Sequence, residues 1–113
     1  MDTKLEITHL GSDDGPVTVL TLKGPLVISN LFEFQAAVRS TRSNLLVLDM
    51  TEVPYIDSSA IGVLVGAHVS RDQHGRKLLL VGVNTRVRTV LNVTQVERLF
   101  NFADKVPDLA TGA

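Results

Sequence analysis

The feature that most constrains the fold is a short apolar run at residues 45–50 (LLVLDM), followed by a proline-containing link and a second apolar segment. A run of this kind, bounded by polar residues, is typical of a β-strand buried on both faces. Pro54 lacks a backbone N–H and restricts Val53 to extended conformations, so the link is predicted to be a loop. A helix from Ser58 to about Gly75, ending in a glycine C-cap, is predicted to follow.

Asp57 stands directly before this helix, where its carboxylate can accept hydrogen bonds from the free N–H groups of the first turn. With Asp57 as the N-cap, Ile56 and Ile61 occupy the positions that pack together as a hydrophobic staple. Ser58 is then the first helical residue, and its hydroxyl faces outward at the positive end of the helix dipole. An Asp-Ser pair before an apolar helix is most often only a cap, so a purely structural role for this pair stays open.

The helix is apolar almost all round over its first three turns, whereas a surface helix needs a single apolar stripe. One arc of the helical wheel carries Ala60, Val63, Leu64 and Ala67. The opposite arc carries Ser58, Gly62, Val65 and Val69. Either both arcs are covered within the domain, or the arc with Ser58 is a contact surface. A small domain has few layers and exposed apolar patches mark interaction sites, which favours the contact surface.

Length and composition indicate a single domain over residues 1–113, with an ordered core at about 4–106 and a frayed tail at 107–113. A net charge of −1 provides no electrostatic attraction to nucleic acid or to an anionic membrane. No apolar run approaches the roughly 18 residues of a membrane helix, and the N-terminus does not read as a secretory signal. The absence of cysteine is compatible with the cytoplasm, where we expect the protein to act.

Strand-like and helix-like segments alternate along the chain, which predicts an α/β fold with right-handed βαβ crossovers. The predicted strands lie at residues 4–10, 17–23, 45–50 and 78–83. Predicted helices begin at Asn30, which has Glu33 three residues on, at Asp57, and at Asn84. Thr94 and Glu97 form a capping box that predicts one more helix, so we expect a small mixed sheet packed with about four α-helices.

The candidate chemistry is sparse. The histidines show no metal-ligand spacing, so neither a metal nor a cofactor is expected; they are His9, His68 and His74. Ser58 lacks the flanking glycines of a nucleophile elbow and a histidine placed to activate it, so we do not expect an enzyme. Gly62 and Gly66 have no companion lysine for a phosphate loop, and close helix packing explains them better. The basic cluster from Arg71 to Lys77 is typical of a solvated helix end, and a contact with a partner is the alternative.

The chain resembles a STAS domain (sulfate transporter and anti-sigma factor antagonist), and its stand-alone length makes it most similar to bacterial anti-sigma factor antagonists. The resemblance rests on the order of elements and on residues 45–50, 53–56 (VPYI), 57–64 (DSSAIGVL) and 86–94 (RVRTVLNVT). It implies a STAS-like, that is SpoIIAA-like, fold over nearly the whole chain.

The resemblance also implies partner switching that regulates sigma-factor-dependent transcription. The unphosphorylated protein would bind an anti-sigma factor with serine kinase activity and so free the sigma factor. The kinase would phosphorylate Ser58, the complex would separate, and a serine phosphatase would restore the first state. The implied partner-binding residues surround this serine; they are Asp57, Ser58, Ser59, Ile61, Gly62 and Val65.

Two departures from the family pattern leave an alternative open. Residues 24–27 read Gly-Pro-Leu-Val, where the family usually has Gly-Glu-Leu/Ile-Asp, and Ala60 replaces the usual glycine after the two hydroxyl residues. The chain could therefore be a STAS scaffold or transport-accessory protein that is not phosphorylated, of a stressosome-like or lipid-transport-like kind.

Overall fold

The computed structural model describes residues 4–107. Strands and helices alternate along them and pack as a sheet with helices against it, which confirms the predicted α/β class. The elements in chain order are β1 (Glu6–Gly11), β2 (Val17–Lys23), α1 (Leu31–Ser40), β3 (Leu45–Glu52), α2 (Ser58–Gln73), β4 (Lys77–Val81), α3 (Thr85–Val93), a 3₁₀ helix (Glu97–Leu99) and β5 (Asn101–Ala103). From residue 108 onward, the predicted frayed tail lies outside the described residues.

The sheet is mixed, as predicted, and its strands follow one another in chain order from β1 to β5. β1 pairs with β2 antiparallel, and the other neighbours pair in parallel. Because each parallel pair is joined by a helical crossover of the same hand, all three helices pack on one face. That face holds the main core, which includes Leu20, Leu48 and Leu80. A smaller cluster of buried residues, including Val19 and Val47, occupies the other face, so β3 is buried on both sides.

The prediction of a fourth α-helix after Thr94 is wrong within the described part of the chain. The side chain of Glu97 accepts a hydrogen bond from Arg88 Nε at 2.7 Å instead of closing a capping box, and this bond holds the pKa of Glu97 below its usual range. The Arg88 guanidinium also lies 3.6 Å from the ring centroid of Phe102. These contacts favour a short 3₁₀ turn followed by β5, a three-residue strand that the sequence analysis missed.

The asparagines predicted to cap α1 and α3 make different hydrogen bonds. Asn84 caps α3 as expected, since its Oδ1 accepts a hydrogen bond from Val87 N at 2.8 Å. Asn30 precedes α1 as predicted, but it makes no side-chain cap bond to the helix. Its Oδ1 accepts from Val27 N and its Nδ2 donates to Pro25 O, at 3.2 and 2.8 Å. Asn30 therefore organises the loop between β2 and α1.

The end of α2 is anchored by Arg71, so the prediction of a solvated helix end is wrong for this residue. Arg71 is only 5% exposed, and its guanidinium donates to the backbone carbonyls of Lys77, Thr41 and Ser43 at 3.0, 3.1 and 2.6 Å. Burial, with a smaller effect from the charge of Arg76, lowers the pKa of Arg71 to about 10, which leaves it protonated at neutral pH. The last turn of α2 is thereby tied to the residues preceding β3 and to the start of β4.

Glycine substitutions at two positions should change stability in opposite directions. Gly82 follows β4 at φ 68°, and an added Cβ would collide with the side chain of Thr51. Gly82→Ala should therefore lower the free energy of unfolding by more than about 2 kcal/mol. Gly66 lies in α2 with no atom within 4 Å of an added Cβ, so Gly66→Ala should raise that free energy by roughly 0.5–1 kcal/mol. Equilibrium urea unfolding measures both, and equal effects would contradict the described backbone.

Candidate functional site

The candidate site lies where the chain leaves the carboxyl ends of β2 and β3. The two loops that follow these strands pair with each other through a parallel bridge between Leu26 and Ile56. Leu26 N donates to Tyr55 O at 3.2 Å, and Asp57 N donates to Leu26 O at 3.1 Å. The pairing continues the sheet for one more step and holds the loop at residues 24–30 against the start of α2.

Asp57 uses its two carboxylate oxygens in two different elements. Oδ1 accepts a hydrogen bond from Ala60 N at 3.1 Å, which confirms Asp57 as the N-cap of α2. Oδ2 accepts from Ile28 N at 3.0 Å and so fixes the loop that precedes α1. Ile56 is buried and Ile61 packs against the core, as a hydrophobic staple requires. One carboxylate therefore sets the position of α2 relative to the neighbouring loop.

Ser58 is the first residue of α2 and is exposed. Within residues 4–107, its hydroxyl neither donates a hydrogen bond to any side chain or backbone group nor accepts one from them. The Asp57 carboxylate satisfies the N–H of Ala60, which leaves the N–H groups of Ser58 and Ser59 directed outward at the positive end of the helix. A negatively charged group attached to this hydroxyl would find donors within its own helix turn.

The other predicted contact residues differ in exposure. Gly62 is exposed, whereas Asp57, Ser59, Ile61 and Val65 are half-buried. Ile61 and Val65 also pack against the main core. The exposed strip of α2, formed by Ser58 and Gly62, is therefore narrower than the arc predicted from the helical wheel.

The prediction that Gly62 and Gly66 serve close helix packing is wrong. A Cβ added at either position meets no atom within 4 Å, so no neighbouring helix requires a glycine there. The two residues lie beside open space.

Two exposed apolar side chains close to the site were missed by the sequence analysis. Ile28 is 76% exposed and Phe32 is 84% exposed. The backbone of Ile28 is bonded to Asp57, and Phe32 lies in the first turn of α1, which starts at the same edge of the sheet as α2. We call Ile28 and Phe32 the apolar patch. A signal was present, because residues 26–28 are unusually apolar for a loop and Phe32 lies off the buried face of its helix.

The loop that carries Ile28 has no charged residue. Pro25 is buried and Val27 is half-buried at the two positions where acids were expected from the resemblance. The surface beside Ser58 is therefore apolar and neutral on the side of this loop, with the Asp57 carboxylate already engaged by two backbone N–H groups.

Residues 4–107 contain no group of three or more His, Asp or Glu side chains arranged to hold a metal ion. Within the same range, no helix has both the length and the apolar character needed to cross a membrane. What the site presents is an unbonded hydroxyl next to the hydrogen-bonded Asp57 carboxylate and an uncharged loop, with exposed apolar side chains nearby. Such a surface is suited to contact with another protein.

The structure is therefore a β-sheet covered by helices on one face, with an exposed serine at the start of its second helix. A family profile described as the STAS domain matches residues 11–109. The chain belongs to the STAS domain family.

Part of the sequence is similar to a named relative, and the fold is similar to solved structures. An anti-sigma-B factor antagonist of Listeria monocytogenes is 40% identical over 47 residues, which are 42% of this chain and 41% of the relative, so the match spans less than half of either protein. A crystal structure of an anti-sigma factor antagonist from Mycobacterium paratuberculosis superposes with a TM-score of 0.80 at 14% identity, over 94% of this chain and 91% of the other. A putative anti-sigma factor antagonist from Thermotoga maritima gives 0.72 at 26% identity, over 88% and 87%.

The double role of Asp57 predicts a graded response to substitution. Asp57→Ala removes both acceptors and should lower the free energy of unfolding by about 1–2 kcal/mol. Asp57→Asn retains one side-chain acceptor oxygen and should have a smaller effect. Urea unfolding gives the stability, and hydrogen exchange of the Ile28 and Ala60 amides reports each bond separately. If the Ile28 amide exchanges at the same rate in the wild type and in Asp57→Ala, the bond between loop and helix is refuted.

Proposed function

We propose that this protein is an anti-sigma factor antagonist that binds an anti-sigma factor with serine kinase activity. In this proposal the unphosphorylated protein occupies the anti-sigma factor and so releases the sigma factor. Phosphorylation of Ser58 by the bound kinase ends the complex, and a serine phosphatase restores the active form. The protein acts by binding and not by catalysis. The observation that carries the proposal is the exposed, unbonded Ser58 hydroxyl on a capped helix start.

The contact surface is proposed to combine the start of α2 with the apolar patch. Ser58 and Gly62 supply an accessible strip with little side-chain bulk, and Ile28 and Phe32 supply apolar area for a partner to cover. Buried aromatic side chains dominate the binding energy of many interfaces, so Phe32 is the expected anchor. Asp57 takes part through the two backbone bonds it accepts, Ser59 lies half-buried beside Ser58, and Ile61 and Val65 pack against the core beneath the strip.

Phosphorylation would act on this surface without disturbing the fold. A phosphoserine carries about −1.5 to −2 charge and three acceptor oxygens. At the first helical position these oxygens meet free N–H groups and the positive helix end, so α2 should remain intact. Docking would require desolvation of the dianion beside apolar side chains, which is unfavourable. A penalty of about 2.7 kcal/mol is sufficient to weaken binding a hundredfold.

The direct test is phosphorylation by an anti-sigma factor kinase from the same genome. Incubation with kinase and ATP should add one phosphate, located at Ser58 by mass spectrometry, and should weaken the complex about a hundredfold or more in a calorimetric titration. Ser58→Ala should abolish the modification, and Ser59→Ala is the matched control that should retain it. Modification at Ser59, or unchanged affinity after modification of Ser58, would refute the switch.

The role of the apolar patch is tested by truncating its aromatic ring. Phe32→Ala should weaken binding of the anti-sigma factor by tenfold to a hundredfold, about 1.4–2.7 kcal/mol. Because Phe32 is 84% exposed, the free energy of unfolding should change by less than about 0.5 kcal/mol. Val93→Ala is a suitable control, since Val93 is 71% exposed at the end of α3 and should leave affinity unchanged. Equal affinities for Phe32→Ala and the wild type would remove the patch from the interface.

An alternative function is a STAS scaffold or transport-accessory protein that is not phosphorylated. The observation that favours it is the loop at residues 24–30, where Pro25 and Val27 stand in place of two acids that the family usually carries. Under this alternative, Ser58→Asp leaves affinity for the partner unchanged, whereas the switch requires a measurable loss. A titration with the Ser58→Asp variant therefore separates the two functions.

A further inference from the structure

A groove of about 620 Å³ lies between α1 and α2, outside the residues assigned to partner contact except for Gly62. Gly62, Val63, Gly66 and Ala67 line it from α2, and Val38 lines it from α1. Its volume lies within the range of small-molecule sites in proteins. The open space beside Gly62 and Gly66 belongs to this groove, because an added Cβ at either residue has no neighbour within 4 Å.

The groove carries a one-sided charge. Its lining includes the side chains of Arg39, Arg42, Arg71 and Arg76 and contains no Asp or Glu. Among residues 4–107, no carboxylate lies within 4 Å of any of these guanidinium groups. The charge of Arg71 is satisfied by backbone carbonyls and is not neutralised by an acid. Four cations around one cleft create a positive potential that attracts anions.

The remaining lining mixes polar and aliphatic side chains, and the polar ones are Gln35, Thr41, Ser70 and His74. Val38, Val63 and Ala67 provide apolar surface, and no Phe or Tyr lines the groove. A short alkyl chain can lie along these three aliphatic residues. Guanidinium groups match the geometry of phosphate and carboxylate oxygens.

We propose that the groove between α1 and α2 binds a small organic anion, with its aliphatic body over Val63 and Ala67 and its phosphate or carboxylate head beside Arg39, Arg42 and Arg76. This binding is independent of phosphorylation at Ser58. Gly62 and Gly66 keep the groove open, which explains two residues of low helix propensity within a 16-residue helix that has room for larger ones.

The test is a nuclear magnetic resonance titration of the full chain with hexyl phosphate and, separately, with hexanoate. At least one should give saturable shifts of the Gly62 and Gly66 amides, with a dissociation constant at least tenfold lower than those of inorganic phosphate and of hexanol. The tighter of the two identifies the head group. Equal shifts from inorganic phosphate alone would mean an adventitious ion only, and the absence of saturable shifts with both probes would equally overturn the proposal.

Variants locate the binding. Arg39→Gln and Arg42→Gln should each raise the dissociation constant about tenfold, as expected for loss of a hydrogen bond to a charged group. Arg98→Gln is the matched control, because Arg98 is exposed on the 3₁₀ helix and does not line the groove. Gly66→Leu should fill the groove and abolish binding while every arginine remains. If Arg98→Gln weakens binding as much as Arg39→Gln, or if Gly66→Leu binds like the wild type, the site is not this groove.

Discussion

The two hydrogen bonds accepted by the Asp57 carboxylate determine the geometry on which the site depends. One bond fixes the start of α2 and the other fixes the loop before α1, so Ser58 and Ile28 have a defined relative position. The bridge between Leu26 and Ile56 reinforces this arrangement from the backbone. A serine that merely followed a capping residue would have no such relation to a second element. The proposed contact surface therefore depends on a hydrogen bond across 29 residues of chain and not on the helix alone.

The parts of the fold that depend on local chemistry were predictable from the sequence. β2, the start of α2 and the caps at Asp57 and Asn84 follow from periodicity and from the acceptors that a helix start requires. The features that were not predicted depend on side-chain contacts that periodicity does not reveal. Asn30 looked like a cap because its neighbours fit one, yet the loop at residues 25–27 supplies its bonds.

Arg71 and the last part of the chain illustrate the same limit. A basic residue in the last turn of a helix normally faces solvent, and only the position of the chain around Thr41 and Ser43 makes a buried site for Arg71. The capping box after Thr94 was overridden because Arg88 competes for the carboxylate of Glu97. The exposure of Phe32 was visible in the helical pattern, but its closeness to the site required the strand order.

In the proposed function, the neutral loop beside Ser58 makes the phosphate the dominant change in charge at the contact surface. With Pro25 and Val27 in place of acids, the loop adds no repulsion of its own to either state. The difference between the two states is then set by desolvation of one dianion against an apolar patch. This differs from a surface on which several fixed acids already repel a partner. The groove between α1 and α2 lies farther along the same pair of helices, where its arginines carry positive charge.

α2 is held at its first turn by Asp57 and at its last turn by Arg71, and both anchors reach segments that lie outside the helix. A helix fixed at both ends has little freedom to slide or tilt when a single group is added at its start. A phosphate added to Ser58 would change the charge of the outer surface at once, without a slow rearrangement of the core. The response time of such a domain would then be governed by the encounter of the proteins and by the transfer of the phosphoryl group.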